Sequence, residues 1–143
     1  MKIVNKKAYF NYHILETLEV GVVLSGGEVK SLRLGRADLS GSFARVKDDQ
    51  IFLINAYIPA YQNSPESYDP KRTRKLLLHK TQILNLATKV HTGKVLIPLS
   101  IYSTRNLIKV QLALATSKKK YDKKQAKKLE DEQRKLDQEL KDL

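Results

Sequence analysis

Apolar and polar positions alternate through roughly the first 115 residues, a pattern typical of half-buried β-strands. Turn residues divide this stretch into short predicted strands over 20–24, 42–47, 50–55, 75–78, 95–102 and 107–114. The two strands around Asp48-Asp49 and the last two strands are expected to form hairpins. Pro98 lies within the last hairpin, and because it has no N–H for a ladder it is predicted at an edge or a bulge.

Two other segments have helical spacing. Residues 28–34 form a predicted short helix that Gly35 ends, and residues 81–90 form an amphipathic helix. Residues 59–70, with three prolines, are predicted to be a loop. Short strands separated by turns, with two or three short helices, predict a mainly β fold, a closed antiparallel β-barrel of OB-like topology. An open α+β sheet is the alternative.

The composition changes at Ser117, which divides the chain into a predicted body, 1–116, and a basic C-terminal tail, 117–143. Residues 118–128 are almost wholly cationic. Beyond them the leucines form a narrow stripe at helical spacing, Leu129, Leu136, Leu140 and Leu143. Such a stripe is too thin for a stable free helix. The tail is therefore predicted to be disordered alone and helical when docked.

The charge indicates a partner. The 143 residues include 27 Lys and Arg against 15 Asp and Glu, a formal net charge of +12. The tail supplies +3 of this and the body +9. A polyanion is the expected partner, since each neutralised phosphate releases counterions. Nucleic acid is favoured over a membrane surface.

Nothing in the sequence predicts catalysis. The chain has no cysteine, which excludes disulfides and cysteine-based zinc sites. The three histidines, His13, His79 and His91, lie in separate segments without metal-binding spacing. Glu16 and Glu19 are close enough in sequence for an acid–base pair, but surface carboxylates on a strand are the commoner explanation. We expect no enzyme activity, no cofactor and no metal.

The location is also predicted. The N-terminal segment 1–7 is not followed by a long apolar stretch, so neither a signal peptide nor a membrane anchor is expected. No apolar run approaches the ~18 residues that a membrane span needs. These features predict a cytoplasmic protein that does not bind membranes.

Specific motifs go beyond composition. Gly26–Gly35 reads GGEVKSLRLG, and residues 69–78 read DPKRTRKLLL. With Asn5-Lys6-Lys7-Ala8, Leu18–Gly21 and the basic run 118–124, in this order and spacing, they closely resemble the bacterial SmpB family of SsrA-binding proteins. The resemblance extends from about Asn5 to Lys128.

The resemblance implies a function and partners. Family members are small OB-like barrels that bind the tRNA-like domain of tmRNA (SsrA). With it they rescue stalled ribosomes by trans-translation, in which incomplete proteins are tagged. The body replaces the missing anticodon arm, and the tail enters the decoding centre and the empty message channel as a helix. Elongation factor Tu and alanyl-tRNA synthetase act on the same RNA, and the protein is expected to be a monomer.

The resemblance also implies site residues. The positions expected to bind tmRNA are Asn5, Lys6, Glu19, Gly21, Glu28, Lys30, Arg33, Leu77 and Lys109. The tail residues expected at the ribosome are Lys118, Lys119, Tyr121, Asp122, Lys123 and Lys124. Three positions depart from the family pattern: Ser117 replaces Gly, Lys124 replaces Arg, and Gly27 replaces a larger residue. The departure at Gly27 predicts a looser turn before Glu28.

Individual roles are predicted on chemical grounds. Glu19 can accept hydrogen bonds from a base edge or a 2′-hydroxyl. Leu77 is expected in the core, acting on binding through the shape of the barrel. Arg72, Arg74 and Lys75 form a basic cluster that is either an RNA-binding edge, which we favour, or a solvated surface.

Two other functions fit the same residues. One is a different RNA-binding role, such as ribosome assembly, with an OB-like body. The other is a small metal-dependent nuclease that uses Glu16, Glu19 and Asp residues. The RNA that co-purifies with the protein distinguishes the first from tmRNA binding, and an RNA cleavage assay with magnesium tests the second.

Overall fold

The computed structural model describes residues 1–118 and 120–141, with the backbone alone for 120–126. The strands are β1 (Lys2–Val4), β2 (Tyr12–Val22), β3 (Phe43–Lys47), β4 (Gln50–Ile54), β5 (Arg74–Leu77), β6 (Val95–Thr104) and β7 (Leu107–Ser117). The helices are α1 (Lys6–Asn11), α2 (Gly26–Arg33), α3 (Lys80–Val90) and α4 (Lys120–Lys141). The predicted mainly β, antiparallel fold is confirmed.

The seven strands form one antiparallel sheet in the order β1-β6-β3-β4-β5-β2-β7. Since β6 also pairs with β7, the pairings of six strands return to the strand from which they start. β1 lies outside this ring and extends it beside β6. The sheet therefore has a continuous ladder around the core, and β7 pairs along its length with both β2 and β6.

Both predicted hairpins are present. The β3–β4 turn contains Asp48 and Asp49, and the β6–β7 turn contains Arg105 and Asn106, all four with positive φ. Two consecutive residues with positive φ match the twist of the flanking strands, as in a type I′ turn. The ladder register shifts between Pro98 and Ser100, so Pro98 lies at a bulge, one of the two positions predicted for it.

The main core fills the inner face of the sheet. In β4, Ile51 and Leu53 are buried and alternate with half-buried neighbours, as the period of a strand requires. A second, smaller cluster lies on the opposite face of β6 and β7, where α1 covers it. Its buried members are Ala8, Ile97, Leu99 and Ala113. These two strands are thus buried on both faces over part of their length.

The predicted helices and the tail are located as follows. Helices α2 and α3 confirm the two predicted helices, within two residues at each end. Gly27 lies inside α2, so the turn predicted before Glu28 is wrong there. The tail forms α4, in which Glu130 and Arg134 form an ion pair at 2.6 Å. Disorder of the tail away from the ribosome stays a prediction.

Candidate nucleic-acid interface

A row of paired residues crosses four strand boundaries on the outer face of the sheet. Lys2 pairs with Tyr102, Tyr102 with Lys109, Lys109 with Gly21, and Gly21 with Leu77. Paired residues of neighbouring antiparallel strands have their side chains on the same face. Three positions predicted from sequence to bind RNA, Gly21, Leu77 and Lys109, therefore lie side by side.

Glu19 joins this row through a cross-strand hydrogen bond. The Tyr102 hydroxyl on β6 donates to Oε2 of Glu19 on β2, so the bond passes over β7. Glu19 is exposed. Burial, together with the hydrogen bond to Glu19 and its negative charge, raises the pKa of Tyr102 to about 12. The phenol therefore remains a donor near neutral pH and fixes the carboxylate. We call this surface the Glu19 face, comprising Lys2, Glu19, Gly21, Leu77, Tyr102 and Lys109.

Gly21 occupies the centre of the Glu19 face for a steric reason. A Cβ atom at this position would lie 3.2 Å from the Leu77 Cβ, closer than ordinary side-chain contacts allow. The glycine thus permits the close approach of β2 and β5 and leaves no side chain of its own above the sheet.

Leu77 does not lie in the core. Its side chain is 49% exposed, whereas Leu76 is 1% exposed. Burial alternates along β5, with Arg74 and Leu76 inside and Lys75 and Leu77 outside. The prediction that Leu77 is a core residue is wrong, and Leu77 instead presents an apolar side chain on the Glu19 face.

Glu28, in contrast, is buried, with an exposed fraction of 1%. It belongs to a capping box that begins α2, in which Ser25 N–H donates to Glu28 Oε1 at 2.8 Å and Glu28 N–H donates to Ser25 Oγ at 3.2 Å. Arg74 Nε donates to Glu28 Oε2 at 2.6 Å, and Arg72 donates to both oxygens. The carboxylate is therefore fully engaged within the protein.

The charge of Glu28 is stabilised in this site. Burial alone would raise the pKa of the carboxyl, but hydrogen bonds from Arg72, the Ser25 N–H and Arg74, with the positive charge of Arg74, lower the pKa to about 2. The Tyr68 hydroxyl adds a contact of 3.1 Å to Oε2. Glu28 is ionised near neutral pH and links α2 to the segment before β5.

Arg72, Arg74 and Lys75 were predicted to form an RNA-binding edge. For Arg74 this prediction is wrong, because the residue has no exposed surface. Its guanidinium donates to the carbonyls of Ala56, at 2.7 Å, and Pro70, at 3.0 Å, besides Glu28. These bonds fasten the long loop between β4 and β5 to the body. Arg72 retains partial exposure, with 35% of its side chain accessible.

The other predicted body residues lie outside the Glu19 face. Lys30 and Arg33 are exposed on α2, and the Lys30 Nζ lies 5.3 Å from the centroid of the Tyr61 ring. Lys6 is exposed at the start of α1. Asn5 is only 5% exposed, and its Nδ2 donates to the Pro98 carbonyl at 2.9 Å, so it fixes the N-terminal segment to β6.

The tail begins against α1. Lys118 N–H donates to the Asn11 carbonyl at 2.9 Å, and Lys118 Nζ donates to the Tyr9 carbonyl at 3.4 Å. Lys119 lies outside the described residues. Tyr121, Asp122, Lys123 and Lys124 lie in the first turns of α4, with side chains outside the described part. Ser117, the first departure from the family pattern, is the last residue of β7.

Sequence reasoning missed two members of the Glu19 face, Tyr102 and Lys2. The alternation Leu99-Ser100-Ile101-Tyr102 around a predicted hairpin is a signal for an outward Tyr102, but its partner on β2 is 83 residues away. Within residues 1–118 and 120–141, no cluster of three or more His, Asp and Glu has metal-binding geometry. Over the same ranges, no helix is long and apolar enough to cross a bilayer.

The model of the SmpB protein family matches residues 2–142. The chain belongs to the SmpB family.

Relatives extend this result. The SsrA-binding protein of Thermosipho africanus is 47% identical over 146 aligned residues, covering 99% of this chain and 98% of the relative. That of Mycolicibacterium paratuberculosis is 49% identical, covering 95% of this chain and 82% of the relative. A solved chain described as "tmRNA-SmpB: a journey to the center of the bacterial ribosome" is 47% identical, with a TM-score of 0.70, covering 83% of this chain and 85% of that chain.

Proposed function

We propose that this protein binds the tRNA-like domain of tmRNA through the Glu19 face and delivers the RNA to stalled ribosomes for trans-translation. The observation that carries the proposal is the convergence of Glu19, Gly21, Leu77 and Lys109 on one outer face of the sheet from three strands. Membership of the SmpB family and the similarity to SsrA-binding proteins support tmRNA as the partner.

The chemistry of the face suits a folded RNA. Lys109 and Lys2 supply positive charge for phosphates. The Glu19 carboxylate, with Oε2 held by Tyr102, accepts hydrogen bonds from base edges or 2′-hydroxyls through its remaining lone pairs. Leu77 offers apolar contact to a sugar or an unstacked base. Specific recognition thus combines one fixed acceptor with nearby cations.

The remaining body residues have separate roles in the proposal. Lys6, Lys30 and Arg33 provide exposed positive charge for phosphates outside the Glu19 face. Asn5 and Glu28 are buried and act as positioning residues, Asn5 for the N-terminal segment and Glu28 for α2, which carries Lys30 and Arg33. No catalytic step, cofactor or metal is part of the proposal.

We assign the ribosome to the tail. In this division residues 1–116 are an RNA-binding body, and residues 117–143 become a helix in the decoding centre and message channel. The helical range Lys120–Lys141 supports the second half of this statement. The basic residues proposed to contact the ribosome are Lys118, Lys119, Lys123 and Lys124, with Tyr121 and Asp122 between them.

The proposal includes the finer fold and the setting. The ring of strand pairings supports a closed, OB-like barrel over an open sheet. The protein acts as a monomer in the cytoplasm, where elongation factor Tu and alanyl-tRNA synthetase act on the same tmRNA.

Sequencing of co-purifying RNA tests the proposal. Tagged full-length protein should enrich tmRNA above all other RNA, and a variant lacking residues 118–143 should enrich it equally while failing to support tagging on stalled ribosomes. Enrichment of ribosomal RNA precursors without tmRNA would instead indicate ribosome assembly. Cleavage of RNA in the presence of magnesium would indicate a nuclease, and either result would overturn the proposal.

A further inference from the structure

A cavity of about 460 Å³ lies apart from the Glu19 face. It is bounded by α1, the C-terminal end of α3, strand β3 and the first residues of β6. We call it the N-terminal cleft. Val95 at this end of β6 and Tyr102 on the Glu19 face are seven residues apart, about 23 Å along an extended strand. The two surfaces can therefore contact different parts of a ligand at once.

The N-terminal cleft is positively charged. Lys7, Arg45 and Lys94 line it, and His91 lies beside them at the end of α3. Among the described residues that line the cavity, none is acidic. The charge of Lys7 also acts on Asp38, which lies outside the lining. Three cations around one cavity favour an anionic ligand.

The walls are partly apolar and aromatic. Phe43 and Tyr12 line the cleft together with Ala8, Val90 and Ile97. The Arg45 guanidinium lies 5.5 Å from the centroid of the Phe43 ring. Aromatic rings and guanidinium planes are the surfaces on which unpaired bases stack. Charge and stacking surface thus occur in the same cavity.

We propose that the N-terminal cleft binds one unpaired nucleotide of RNA. The base packs against the wall at Phe43, and its phosphate lies among Lys7, Arg45 and Lys94. The inference takes from the proposed function only that RNA is the partner. The nucleotide belongs either to tmRNA beyond the part held by the Glu19 face or to the small ribosomal subunit.

Titration of the isotope-labelled full-length protein with adenosine 5′-monophosphate tests the site itself. Amide shifts should concentrate at Ala8, Phe43 and Val95, and inorganic phosphate at equal concentration should shift fewer of them. The double variant Arg45→Gln with Lys94→Gln should lose the response. Shifts confined to the Glu19 face, or none at millimolar nucleotide, would overturn the proposal.

Affinity measurements identify the source of the nucleotide. The same double variant should weaken binding either to the tRNA-like domain of tmRNA or to isolated small subunits by on the order of tenfold, and lower the salt slope by about one to two. Lys47→Gln with Lys71→Gln removes equal charge from exposed positions outside both surfaces and is the matched control. An equal loss of RNA affinity in the control would show that net charge alone explains the effect, and would overturn the proposal.

The proposed function can fail independently of this one. If Glu19→Ala weakens tmRNA binding while the cleft variant binds both RNAs normally, the cleft proposal is wrong and the proposed function stands. If the amides of the cleft shift with nucleotide while tmRNA is not enriched from cells, the proposed function is wrong and the cleft proposal stands.

Discussion

Two carboxylates in this basic protein have opposite surroundings. Glu28 is enclosed by two arginines, a tyrosine and the Ser25 N–H, with 1% of its surface exposed. Glu19 lies on the exposed face of the sheet, with the Tyr102 hydroxyl as its hydrogen-bond donor. Both occur in sequence motifs of the family, and both were predicted to bind RNA.

The difference lies in the partners. Two guanidiniums neutralise Glu28 and use both of its oxygens, which makes it a structural connection between α2 and the β4–β5 loop. A neutral phenol fixes Glu19 without cancelling its charge, and leaves lone pairs available for a ligand. The donors around each carboxylate therefore separate their roles: Glu28 stabilises the body, and Glu19 stays available for the RNA contact proposed above.

The largest expected effect is on folding, at Glu28. Glu28→Ala leaves the buried Arg74 charge without its partner and should destabilise the protein by about 3–5 kcal/mol. Chemical unfolding followed by circular dichroism measures this loss. Glu66→Ala, an exposed loop carboxylate, is the control and should stay within about 0.5 kcal/mol. A small effect at Glu28 would remove the contrast with Glu19.

Acid should reveal the same connection without mutation. The pKa of Glu28 is about 2 in the folded protein against 4.5 ordinarily, so its carboxylate stabilises the fold above about pH 4.5, and the contribution is lost as pH falls towards about 2. The loss should be roughly 3 kcal/mol. Urea unfolding across this pH range measures it, and a flat stability profile would contradict the assignment.

Glu19→Ala tests the other side of the comparison. The loss of an ionised acceptor should weaken tmRNA binding by on the order of tenfold or more, with the unfolding midpoint unchanged. Since the substitution makes the protein more basic, a pure charge effect would strengthen binding. Glu16→Ala, an exposed carboxylate of β2 paired with Lys89, makes the same charge change and should not weaken binding. Equal affinity of Glu19→Ala and the native protein in a fluorescence assay would exclude the proposed contact.

The smallest expected effect is at Tyr102. Tyr102→Phe frees the Glu19 carboxylate to rotate and should reduce tmRNA affinity by about two- to tenfold. The loss should disappear when Glu19 is already alanine, because Tyr102 acts through Glu19. Tyr57→Phe, at an exposed tyrosine outside the face, is the control. Additive losses in the double variant would show that Tyr102 contacts RNA by itself.

Local patterns in the sequence predicted much of the sheet. The turn residues Asp48-Asp49 located the first hairpin, and the missing N–H of Pro98 located the bulge. Helices α2 and α3 were predicted from the periodicity of their apolar residues, and the end of α2 from Gly35. These features depend on neighbouring residues, which is why single-chain patterns suffice for them.

Other features depend on contacts far apart in sequence. Helix α1 has six residues and a single buried side chain, Ala8, too little for a periodic signal. Arg74 reads as a surface cation until Glu28, 46 residues earlier, is placed beside it. The exposure of Leu77 follows from the register of β5. The run of three leucines, 76–78, shows no alternation from which this register could be predicted.

Strand β7 has a further consequence. Lys109, near its start, lies on the Glu19 face, and Ser117, its last residue, leads into the tail. The eight residue steps from Lys109 to Ser117 span about 26 Å of extended chain. Because β2 and β6 hold this strand along both edges, it cannot shorten or bend independently. Strand β7 therefore fixes the distance between the surface proposed for tmRNA and the point from which the tail extends.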